Sequence, residues 1–142
     1  MNGKIVHIKN DADFNTDKKS HGVASSGYGN VITIACPIIV NGQEKTLYLQ
    51  YSHMQYGEVT AWNPRENRPF DEKDDVYAGE PIGYTGNSGN AYNVPNPHIH
   101  MEASFKINAG GTIPNDSWID AMPYLNKTVQ SDEGIIKNIK CN

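Results

Sequence analysis

Asn96-Pro97-His98-Ile99-His100-Met101-Glu102-Ala103-Ser104 is the stretch that decides the reading of this chain. In an extended strand successive side chains point to opposite faces, so His98 and His100 share one side while Ile99, Met101 and Ala103 share the other. One face carries imidazoles and the other belongs to a core. Pro97 suits the first position of such a strand, where a missing N–H costs the ladder nothing, and Pro95 keeps the approach extended. The segment is thus expected to be a half-buried strand aiming two imidazoles at a common point. Two neutral imidazoles suit zinc, or one metal ligand beside one proton-transfer base. More often such a pair marks ordinary half-exposed polar positions. A cupin-like metal site would need a carboxylate three or four residues past the second His, and the chain has Ala103 and Ser104 there, or Ser104 and Phe105 on a looser count.

Outward from that strand, the composition bounds the answer. The chain has 142 residues, 37% of them apolar, and a formal charge of -4. That fits one globular domain of ordinary core size. No Lys/Arg run or basic stripe is present to neutralise phosphates, so nucleic acid is not an expected partner. Thirteen Gly and eight Pro lie between segments rich in Val, Ile, Thr and Tyr. This composition predicts an all-β or mainly β domain with many tight turns. No stretch is apolar for long enough to span a bilayer, and the first residues carry no secretory signal pattern. Cys36 and Cys141 are not in C-x-x-C spacing, which argues against a thiolate zinc site; a bridge between them is left open.

Gly3 to Ile8 reads as a first strand, and Asp11 to Ser26, with His21, as a polar surface loop. Gly27-Tyr28-Gly29-Asn30 leads into Val31 to Val40, one long strand or two broken at Pro37. Asn41-Gly42 predicts a hairpin turn, since both residues tolerate positive φ. In the returning strand, Thr46 to Met54, strict alternation puts Leu47, Leu49, Tyr51 and His53 on one face, with Tyr48, Gln50 and Ser52 on the other. Residues 62–75 form a charged insertion in which Trp62 and Phe70 face substrate or pin the loop to the domain. Asn115-Asp116-Ser117 is expected to cap one short C-terminal helix through Trp118, Ile119, Met122 and Leu125, limited by Pro123. The domain is expected to run over residues 1–128, with residues 129–142 a tail or an extra strand.

Four blocks follow one another in a specific order: Gly27-Tyr28-Gly29-Asn30-Val31-Ile32-Thr33-Ile34, then Tyr51-Ser52-His53-Met54, then Val76 through Gly89, then His98-Ile99-His100-Met101-Glu102. Together they resemble the lysostaphin-type zinc metallopeptidases, or LytM-domain proteins, over about residues 2–125. The resemblance implies antiparallel sheets around a groove bounded by loops. It implies a metalloendopeptidase that acts on bacterial cell-wall peptidoglycan outside the cytoplasm, in the periplasm or after secretion. Carried over by motif, His100 resembles a Zn2+ ligand, His98 the general base, and His53 the second catalytic histidine, able to donate to the oxyanion.

The family also carries an H-x-x-x-D block ahead of the first strand that supplies two more zinc ligands. Here the first strand begins almost at Met1, and the domain is expected to be incomplete at that end and inactive without the missing donors. His7 and Asp11 have the spacing but fall on and just after the strand that the family puts downstream of its motif. The alternative is a non-catalytic LytM-like module that binds peptidoglycan or activates a cell-wall amidase.

Overall fold

In the computed structural model, residues 3–12 and 27–124 are described in full, and residues 135–137 by their backbone. His21, Leu125, Cys141 and most of the expected loop at residues 11–26 lie outside the described residues. The expected all-β architecture is what the chain adopts.

Its frame is a five-stranded sheet in the order β6-β1-β2-β3-β8. The strands are β1 (Gly3–Lys9), β2 (Asn30–Val40), β3 (Gln43–Met54), β6 (Asp75–Val76) and β8 (His100–Ser104), and every neighbouring pair is antiparallel. β4 (Trp62–Asn63) and β5 (Arg68–Pro69) make a small hairpin, and β7 (Pro81–Tyr84) pairs with β9 (Ile135–Lys137). The tail therefore contributes a strand. Among the described residues no helix is long and apolar enough to cross a membrane.

The β2–β3 ladder follows from its turn. Asn41 and Gly42 both take positive φ, 51° and 76°, which matches the twist of a two-residue hairpin and sets Val40 opposite Gln43. With the register fixed, alternation sends Ile32, Ile34, Cys36 and Ile38 of β2 to the same face as Leu47, Leu49 and Tyr51 of β3. Ile5 and Ala103 join them, and Val59, Phe70, Val76 and Ile82 cover this face from the other layer. Each large aliphatic side chain buried there contributes roughly 1.5–3 kcal/mol. Pro37 does not break β2. Among the described residues the pairing with β1 ends at Ala35, so no described strand requires an N–H from Pro37 on that side.

One expectation is corrected, and one left open is decided. Over Trp118–Tyr124, the described part of that span, no α-helix forms; the stretch has one 3₁₀ turn, Met122–Tyr124. The outer edge of β8 takes the segment instead. Ile119 N–H donates to Ala103 O at 3.0 Å, and Ser104 Oγ donates to Ser117 O at 2.8 Å. Unpaired groups at a sheet edge satisfy the backbone more directly than a helix interrupted by Pro123. Phe70, in turn, is buried in the core and pins residues 62–75 to the domain, whereas Trp62 is exposed.

Candidate functional site

The opposite face of the sheet is polar. Register places His7, Thr33, Gln50 and Glu102 in one row across four strands, with Ser52 opposite His100 one step along. Gln50, Ser52 and Glu102 are buried, because residues 105–121 fold over this face: Ile113 N–H donates to Gln50 Oε1 at 2.9 Å. His98 and His100 remain exposed at the rim.

Strand alternation would send His53 to the apolar side with Leu49 and Tyr51, and it does not go there. Asn30 pairs with Met54 and Ile32 with Tyr51, so Ser52 and His53 together oppose Val31 alone. This is a β-bulge. His53 adopts φ of 61°, the left-handed region that costs a non-glycine residue about 1 kcal/mol. Its ring comes to lie 5.3 Å from that of His98 and 5.9 Å from that of His100. The expected face of His53 is thereby overturned, and the expected meeting of the three histidines results from it.

Two loops hold the bulge. Gly29 and Gly89, with φ of 62° and 70°, cross backbone to backbone; a Cβ on Gly89 would stand 2.3 Å from Gly29 N. Only glycine permits both the approach and the dihedral. The crossing brings Tyr28 O to accept from His53 N–H at 2.9 Å and Ser88 O to accept from His53 Nδ1 at 2.9 Å. Ser88 Oγ also donates to Met54 O and accepts from Asn30 N–H, closing the junction.

The acceptors determine where the imidazole protons sit. A carbonyl can only accept, so His53 carries hydrogen on Nδ1, and its Nε2 is left as an acceptor in the neutral ring. Burial, followed by the neighbouring His98 and His100, pushes the His53 pKa below its ordinary value, although the bond to Ser88 opposes this. His98 Nδ1 lies 3.3 Å from Asn96 O, a longer contact of the same sense. In His100 the arrangement is reversed. Nε2 meets Glu102 Oε1 at 2.9 Å and holds the hydrogen, leaving Nδ1 with the lone pair.

Tyr28 closes the cluster, its ring 6.1 Å from that of His100. Its hydroxyl lies 3.1 Å from Asn115 Oδ1. Burial and then Glu102 push its pKa up to about 12, so the phenol keeps its proton.

Of the expected residues, the structure unites His53, His98 and His100. His7 lies three strands from Glu102, about 15 Å at ordinary strand spacing. It faces Glu72 at 3.5 Å and lines a separate cavity of about 540 Å³ with Tyr48, Asn108 and Gly111. Asp11 pairs with Lys9. Among the described residues no group of three or more His, Cys, Asp or Glu is placed to hold a metal ion. Three protein donors are the usual minimum for catalytic zinc, so the described residues by themselves do not make that site.

Sequence reasoning gave no role to Gln50, Glu102, Ser88 or Tyr28. Glu102 had a usable signal, since it falls two residues past His100 and hence on the imidazole face. Comparison with known families, curated proteins and solved structures gives no match for this chain.

Proposed function

We propose that this chain carries the histidine face of a lysostaphin-type zinc metalloendopeptidase that hydrolyses peptide bonds in bacterial peptidoglycan. The observation that supports it most is the convergence of His53 with His98 and His100, brought about by a bulge that holds His53 in the left-handed region. Strain of this kind collects at functional sites. Cys36 is disulfide-bonded, which suits a protein that works outside the cytoplasm, where such bridges persist.

In this reading His100, fixed by Glu102, offers Nδ1 as one ligand, and the further donors come from outside the described residues. His98 stands exposed at the rim with Nε2 free to accept, the position of a general base toward an attacking water. Neutral His53 has no N–H to spare: Nδ1 is committed to Ser88 and Nε2 is an acceptor. Its part begins as a proton acceptor, and it can donate to a developing oxyanion only after taking up a proton. Tyr28 stays protonated beside the cluster, its one O–H hydrogen directed to Asn115 Oδ1.

The test is zinc content together with turbidity clearing of purified peptidoglycan, measured on the protein with whatever its reading frame places ahead of Met1. Bound zinc and clearing that His98→Ala abolishes are the expected results. Zinc without clearing would overturn the reading. Binding to peptidoglycan or to a cell-wall amidase that is unchanged in His98→Ala, without clearing, would make the chain a non-catalytic module using the same groove.

A further inference from the structure

The polar face contains a continuous run of bonds linking the covering segment to His100. Ile113 N–H donates to Gln50 Oε1 at 2.9 Å, and Gln50 Nε2 donates to Glu102 Oε2 at 3.1 Å. Glu102 Oε1 receives His100 Nε2–H at 2.9 Å. Gln50 and Glu102 are buried at 0% and 7% exposure, so neither side chain can exchange a misplaced bond for one to water.

Each link in this run has a fixed sense. A backbone N–H cannot accept, so Ile113 forces the oxygen of the Gln50 amide toward itself and its NH2 toward Glu102. A carboxylate cannot donate, so the far oxygen of Glu102 must receive, and His100 must keep its hydrogen on Nε2.

We propose that Gln50 and Glu102 are positioning residues, and that the main chain of residues 105–121 sets the tautomer of His100 through them. His100 is thereby held with Nε2–H and a free Nδ1 lone pair, opposite in sense to His53. The assignment deepens the proposed hydrolase reading and depends on it only for what the free Nδ1 is used for. A packing role alone would fill the same space without dictating which nitrogen bears the proton.

Isosteric exchange distinguishes the two. In Glu102→Gln the new amide faces the Gln50 NH2, must turn its own oxygen there, and so presents NH2 to His100. His100 then has to accept at Nε2 and carry hydrogen on Nδ1. In the exchange Gln50→Glu with Glu102→Gln, the carboxylate at position 50 accepts from both Ile113 N–H and the amide at position 102. That amide turns its oxygen back to His100, which regains Nε2–H.

The readout is long-range 1H–15N NMR of the imidazole nitrogens in metal-free protein, at a pH where the rings are neutral. Wild type should show Nε2–H for His100 and Nδ1–H for His53, the single variant a majority of Nδ1–H at His100, and the exchange a return to Nε2–H. Nδ1–H at His100 in wild type overturns the proposal without any variant having to fold, as does a single variant that keeps Nε2–H or an exchange that fails to restore it. If the tautomers follow this pattern while zinc and clearing are absent, the relay stands and the hydrolase reading falls; clearing with the wrong tautomers gives the converse.

Discussion

The two ends of the β2–β3 ladder are made of the same kind of strand and behave differently. At the Asn41–Gly42 end, pairing runs without interruption from Val40 opposite Gln43 to Ile32 opposite Tyr51, and every side chain goes where alternation sends it. At the other end one extra residue, a left-handed His53 and two crossing glycines break the pattern. The first end is fixed by local turn chemistry. The second is kept in place by loops distant in sequence, and its strain is offset by the bonds to Tyr28 and Ser88. Regularity marks the part of the sheet that stabilises, and the departure from it marks the part proposed to react.

The largest expected effect separates function from stability at the irregular end. Asparagine tolerates the left-handed region, so His53→Asn should keep the bulge, with unfolding free energy within about 1 kcal/mol of wild type. Peptidoglycan clearing should fall by roughly 10²–10⁴-fold, the usual worth of a positioned acid or base. Unfolding in urea alongside a turbidity assay reads both, and a variant that still clears at the wild-type rate breaks the contrast.

The next effect compares the two ends directly. Gly89 and Gly42 have nearly the same φ, 70° and 76°, but a Cβ on Gly89 meets Gly29 backbone whereas one on Gly42 meets open space. Gly42→Ala should cost about 1–2 kcal/mol, the dihedral alone. Gly89→Ala should cost roughly 3 kcal/mol or more, since a clash that only backbone movement relieves is added. Equal losses in denaturant titrations would mean that the loop crossing contributes nothing to the junction.

The smallest effect lies outside both ends and serves as a control. Asp74 receives both Arg68 guanidinium nitrogens, at 2.7 and 2.8 Å, as well as Asp71 N–H and Asn63 Nδ2. The Arg68 guanidinium is the main cause that lowers its pKa from 3.8 to about 2. A carboxylate with a depressed folded pKa adds stability that is fully present above its unfolded value and is lost as pH falls through the folded one. Stability should therefore decline from about pH 4 toward pH 2, and Asp74→Asn should flatten that slope while leaving the His53 imidazole resonances unmoved. A wild-type slope that persists in Asp74→Asn would assign the acid sensitivity elsewhere.

By itself the sequence determined the β class, the Asn41–Gly42 register and the two-sided character of the H-x-H strand, because turn preference and a period of two act within a few residues. It also put Glu102 on the imidazole face, for the same reason. It misplaced His53, since a bulge shifts parity and nothing local to Tyr51-Ser52-His53-Met54 announces one; the cause is Gly29 crossing Gly89, far away in the chain. The expected helix after Asn115 failed for a similar reason, its backbone bonds being taken by the edge of β8. Tertiary structure decided which side His53 faces, what residues 105–121 cover, and which nitrogen of His100 is free, because each depends on partners that only folding brings within hydrogen-bond reach.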